Sequence, residues 1–138
     1  MDYRYPIHAR MSALTYLDYS DTTIDKWGSS YGCSNVTTLI LPSTITFFEY
    51  RMTEYLNSLR YFIILVEDPD DITSYPQVNG YTFSGNYNGG NADIYVKDDT
   101  AKTKYKQHSF WGALPNAENR IKALSDLPAG VWTTGLAS

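Results

Sequence analysis

The residues of this 138-residue chain with the means to do chemistry are two histidines, one cysteine and a cluster of carboxylates. Asp98, His108 and Ser109 can be drawn as a triad, the imidazole taking the seryl proton and the carboxylate orienting the ring. Nothing in their spacing favours it. His108 fits better as the last residue of a helix, where it meets the negative end of the helix dipole. His8 lies far away in sequence. Cys33 has no nearby histidine to serve as its base and reads as a buried structural thiol. As the single cysteine it can form neither an internal disulfide nor a cysteine-based zinc site. Glu67, Asp68, Asp70 and Asp71 surround Pro69 with the hard oxygens that Ca²⁺ takes. The EF-hand order D-x-D-x-D-G is missing, so a solvated acidic loop is the simpler reading. G-x-S-x-G, a P-loop, H-E-x-x-H and G-x-G-x-x-G are all absent. The expectation is a protein that is no enzyme and holds no metal or cofactor.

Binding is the better match to the composition. Thirteen tyrosines stand out, and tyrosine combines a large apolar body with a polar tip suited to interfaces. A small domain with little interior also uses tyrosine simply to cover its faces. The candidate contact residues are Tyr75, Tyr81, Phe83 and Tyr87 in one Asn/Gly/Tyr-rich stretch, with Trp27 and Tyr31 in an earlier turn. Tyr beside Asn and Gly is the composition of adaptable recognition loops and of glycan-stacking surfaces; ordinary loop packing is the plain alternative. A net charge of −4 argues against sequence-independent nucleic-acid binding, which needs a basic footprint. No run approaches the roughly 20 apolar residues of a membrane span. The polar start, MDYRYPIHARMSAL, does not read as a secretory signal.

The elements that position these residues follow from an internal repeat. Leu39-Ile40-Leu41 overlays Phe62-Ile63-Ile64, and the register extends back to Leu14–Tyr19 and forward to Ala92–Val96. Leu17, Leu39, Phe62 and Ile94 become equivalent, at spacings of 22, 23 and 32 residues. The first two fall in the leucine-rich-repeat range of roughly 20–29; the third exceeds it by one long loop. Strands are predicted at Ser12–Tyr19, Val36–Leu41 and Leu59–Val66. Pro42-Ser43 makes a turn. Phe48, Met52, Tyr55 and Leu56 take helical spacing after Ile45 and Phe47 alternate. Residues 67–91 read as a loop insertion, with Tyr81-Thr82-Phe83 a candidate strand and Asn88-Gly89-Gly90 a closing turn. Asp98-Asp99-Thr100 is predicted to cap a helix running to Gln107, with Phe110 and Trp111 packing it down. Asn116 to Leu124 reads as a second short helix with Ile121 and Leu124 inward.

The segment Val36–Leu65 carries Leu39, Leu41-Pro42-Ser43-Thr44-Ile45-Thr46, Leu56, Ser58-Leu59 and Leu65 at set places, and resembles the BspA-type leucine-rich repeats of gut bacteria and their phages. Ile94-Tyr95-Val96-Lys97-Asp98-Asp99, then Tyr105-Lys106, Trp111 and Arg120-Ile121-Lys122-Ala123-Leu124, is similar to that family's C-terminal cap. Lys97 stands where the family usually has proline, and only about three repeats precede the cap. The resemblance implies an α/β fold: a short leucine-rich-repeat-like solenoid with parallel strands, a long loop insertion and a helical cap. Its divisions would be an N-terminal arm or cap (1–11), the repeat domain (12–127, with insertion 67–91 and cap 92–127) and an extended C-terminal segment (128–138). It also implies binding without catalysis. The setting expected is a bacteriophage virion, as a fibre, tail or capsid-decorating structural protein that contacts other virion proteins or a host surface. The chain would be a homo-oligomer or a subunit of a larger assembly. The alternative is an adhesin module at a bacterial cell surface that binds a host protein or glycan.

Overall fold

The computed structural model describes residues 15–28, 34–49, 52–76, 82–85 and 88–132. It is a mixed α/β fold around a parallel sheet. The strands are β1 (Tyr16–Asp18), β2 (Lys26–Trp27), β3 (Thr38–Leu41), β4 (Phe47–Phe48), β5 (Tyr61–Ile64), β6 (Asp93–Val96) and β7 (Ile121–Ala123). Five of them form one sheet in the order β1-β3-β5-β6-β7, every pair parallel, and β2 and β4 pair separately. Leu17 faces Leu39, Leu39 faces Phe62 and Phe62 faces Ile94 in the pairing register. The spatial register is therefore the register of the sequence overlay, and it gains a further member, Ile94 opposite Ile121.

These strands form because both faces of the sheet are covered. Thr38–Leu41 is buried at every residue and Tyr61–Ile64 at all but the first, the continuous apolar run expected of a parallel strand buried on both sides. Leu17, Leu39, Phe62, Ile94 and Ile121 enter the main core, where they meet Trp27, Phe48 and Trp111. At the corners the backbone bonds repeat from one turn of chain to the next: Thr37 N–H donates to Thr15 O, Arg60 N–H to Thr37 O and Asp93 N–H to Arg60 O, at 2.8, 2.9 and 3.0 Å. Threonine hydroxyls reinforce the stacking, Thr37 onto Thr15 O and Thr73 onto Thr46 O, both at 3.1 Å.

Helix α1 (Asp99–Gln107) follows the prediction. Asp98 is its N-cap and accepts from Ala101 N–H at 2.9 Å, while Ala101 and Tyr105 face inward. The Tyr105 hydroxyl donates to Val66 O at 2.6 Å. Trp111 is fully buried and packs against Tyr105, Phe62, Phe83 and Phe110.

Three local expectations are corrected. Phe48, Met52 and Leu56 are buried as their spacing suggested, but Phe48 ends strand β4 and residues 52–55 are a turn. Tyr55 sits at φ +69°, outside helical space. The backbone there bonds outward, with Met52 O accepting from Trp27 Nε1 at 2.8 Å. The second helix, α2, is confined to Ala117–Arg120, after which Ile121–Ala123 becomes strand β7. The open edge of β6 supplies the ladder partners that a helix would have found within itself. Thr82 and Phe83 lie in a bend; Tyr81 falls outside the described residues. Within 67–91, Ser74 bridges in parallel to Phe47 at the edge of the β2–β4 pair. Asn88-Gly89-Gly90 is the expected turn; a side chain at residue 90 would meet Gly85 O at 2.4 Å.

Candidate functional site

The six aromatic candidates divide by burial. Trp27 is 0 % exposed; its Nε1–H is taken by Met52 O, and its ring centroid lies 5.6 Å from that of Tyr19. Phe83, likewise 0 % exposed, meets Phe62 edge-on at 4.9 Å. Packing consumes both rings and leaves neither face for a partner. Tyr75 is half-buried and stacked on Phe110 at 4.8 Å. Its hydroxyl donates to Pro69 O at 2.7 Å and accepts from Trp111 Nε1 at 2.8 Å. Burial pushes that phenol far above its usual range, against the Trp111 hydrogen bond that lowers it. Tyr31, Tyr81 and Tyr87 lie outside the described residues, as do Cys33 and the 1–11 arm. Among the described residues, Tyr16 and Tyr55 are the exposed large aromatics. Tyr16 had a sequence signal: it alternates with the inward Leu17. Tyr55 had none: its helical spacing grouped it with the buried Phe48, Met52 and Leu56.

The residues that might have done chemistry are pulled apart. Asp98 and His108 stand at opposite ends of α1, roughly 13 Å of helix for nine residues. His108 caps the C-terminus. Its Nδ1 accepts from Phe110 N–H at 3.0 Å, which places the neutral ring's proton on Nε2, facing Asp70 Oδ1 at 3.5 Å. Burial lowers the imidazole pKa, and Asp70 and Asp68 pull it back only in part. The acidic cluster serves structure. Asp68 accepts from Asp70 N–H at 3.0 Å and caps the 3-10 turn Pro69–Asp71. Glu67 pairs with Lys97, and Asp68 approaches Lys104 at 3.9 Å. A groove of about 540 Å³ beside them, lined by Ser43, Leu65, Val66, Glu67, Asp71 and Lys97, contains that ion pair. Among the described residues no group of three His, Cys, Asp or Glu is placed to hold a metal. No described helix is long and apolar enough to cross a membrane.

A residue absent from the sequence reasoning about function is Arg120. It is 6 % exposed, and its guanidinium donates to four carbonyls: Ala92, Phe83, Pro115 and Gly89, at 2.8, 2.8, 3.0 and 3.0 Å. Burial lowers its pKa, countered in part by Asp93. This cation ties the backbone at Phe83, Gly89 and Ala92 to the end of α2.

The surface with the most unusual chemistry is the outer face of the sheet. Residues alternate along each strand, so Ile40, Ile63 and Tyr95 point away from the main core, side by side on β3, β5 and β6. They build a second, separate apolar cluster with Leu127 and Trp132, flanked by Tyr61, Leu65, Leu124 and Val131. The chain leaves β7, turns at Leu124–Asp126 and runs back over this face. Trp132 Nε1 donates to Asp18 Oδ2 on β1 at 3.1 Å. Five strands at about 4.8 Å spacing span roughly 19 Å, well within the reach of the nine residues from 124 to 132. Beside the covered zone Tyr16 is open, and Lys122 pairs with Asp93 at 2.9 Å, a bond that raises the lysine pKa.

Compared with known proteins, the chain matches no family model, no curated protein and no solved structure.

Proposed function

We propose that this chain is a short leucine-rich-repeat-like solenoid acting as a non-catalytic interaction module. In this reading it is a structural component of a bacteriophage particle, a fibre, tail or capsid-decorating protein, that contacts other virion proteins or the host surface. The observation that carries the reading is the parallel ladder in which Leu17, Leu39, Phe62 and Ile94 stand in equivalent register, as the strands of a stacked repeat module would. The exposed aromatics Tyr16 and Tyr55 suit contact with a partner, while the described groups capable of chemistry are spent on caps, ion pairs and backbone carbonyls. A stack of repeats needs its first and last edges covered. Residues 1–11 and 128–138 are the segments that would dock the module to neighbours.

The second reading, a bacterial cell-surface adhesin module for a host protein or glycan, is favoured by Tyr16 and Tyr55, 41 % and 44 % exposed. Light scattering over a dilution series separates the two. A virion part is expected to give a stable trimer or higher assembly, and deletion of residues 1–10 to leave a folded monomer. A full chain that is monomeric throughout favours the adhesin; a deletion variant that still assembles removes the docking role of the arm.

A further inference from the structure

We infer that residues Leu127–Trp132 form a detachable strap, and that the sheet face beneath it accepts the same segment from a second copy of this chain. Four observations lead there. The strap's apolar residues belong to a cluster separate from the main core, so it can leave without opening that core. Its polar ties among the described residues are few: Trp132 to Asp18, and two turn bonds, Leu127 N–H to Leu124 O and Val131 N–H to Pro128 O. It adds no strand to the ladder. Between its two anchors, Leu127 and Trp132, the residues Pro128, Ala129 and Gly130 are exposed, and Gly130 stands at φ +87° with open space around it.

The occupant follows from complementarity. Ile40, Ile63 and Tyr95 are buried by Leu127 and Trp132, and Asp18 receives an indole N–H. The ligand this face fits is therefore a short turning segment with a leucine, a tryptophan five residues later and an exposed Pro-Ala-Gly link between them. A second copy carries that segment by construction. Exchange remakes every contact of the closed chain, so it is driven by the local concentration of copies. The inference stands on the geometry of the strap and holds for a virion part and for an adhesin alike.

The test is a labelled synthetic peptide of residues 124–132, titrated by fluorescence anisotropy into full-length protein. The unaltered chain, with its own strap in place, is expected to bind it weakly. Trp132→Ala, whose strap has lost its anchor, is expected to bind it at least tenfold more tightly. A peptide with alanine for the tryptophan should bind neither. Should Trp132→Ala fail to fold, as judged by circular dichroism, Leu127→Ala provides the second arm: it loosens the other anchor, leaves the Asp18 acceptor in place and should likewise bind the peptide more tightly than the unaltered chain. Equal binding by the unaltered chain and the folded anchor variant, or equal binding of the two peptides, would each overturn the proposal. Assembly through the 1–10 arm would survive excess peptide, so the two interfaces fail independently.

Discussion

Arg120 is a buried cation held by carbonyl oxygens. Four of them, from Phe83, Gly89, Ala92 and Pro115, converge on one planar fork. A lysine keeps the charge but cannot present donors in that geometry, and carbonyls left dry and unbonded are expensive. Arg120→Lys is expected to lower stability by about 2–4 kcal/mol in urea denaturation; a loss below about 1 kcal/mol would contradict this account. His108 works in the opposite electrical sense. Burial pushes its pKa below the ordinary value of about 6.5, so between the two values the unfolded chain binds more protons than the folded one. The stability held by the neutral ring is complete above about 6.5 and is lost as pH falls through the lower folded value. In an NMR titration the His108 ring is expected to inflect below 6.5; an inflection above it would show that Asp70 outweighs burial. At this scale little was legible from the chain alone. His108 was placed at a helix end correctly, but the pattern that contains Arg120 gave no sign of its buried role, because its four partners, Phe83, Gly89, Ala92 and Pro115, lie elsewhere in the sequence.

Elements were legible where a segment's own residues decide its conformation. Thr38–Leu41 and Tyr61–Ile64 are aliphatic and aromatic runs with no other plausible state, and Asp98 announces α1. Replacing Asp98 with alanine removes the acceptor for Ala101 N–H and is expected to cost about 1 kcal/mol, with Asp98→Asn retaining most of it; thermal melts of the two variants should separate clearly. Legibility failed where the partner decides. The two-residue strands β2 and β4 exist because they face each other, and Ile121–Ala123 is extended because β6 offers it a ladder. Turn-forming Tyr55, at φ +69°, followed the same rule: the helical spacing of Phe48, Met52 and Leu56 marked which side chains are inside without marking the backbone path between them.

For the whole molecule, the internal repeat was the most informative signal, since the overlay of Leu17, Leu39, Phe62 and Ile94 is the observed ladder. The contact site was the least. Abundant aromatics say that large surfaces are buried somewhere, and composition cannot divide burial in a core from burial under a partner; Trp27 and Phe83 proved to be core. The covered outer face was missed because it depends on a return of the chain, Trp132 to Asp18, across 114 positions of sequence.

That return has a consequence for how the protein is made. Each strand of the ladder from β1 to β7 lies beside the one synthesised before it, so a chain emerging from the ribosome can add strands in the order of translation, each docking onto a finished template. The strap comes after the last of them, yet one of its anchors is on the first. Ile40, Ile63 and Tyr95 are completed early and covered late. On a polysome, where nascent copies crowd one message, the growing sheet therefore presents an uncovered greasy face for the whole interval between the birth of β6 and the release of Trp132, and slow codons in that interval would lengthen the exposure.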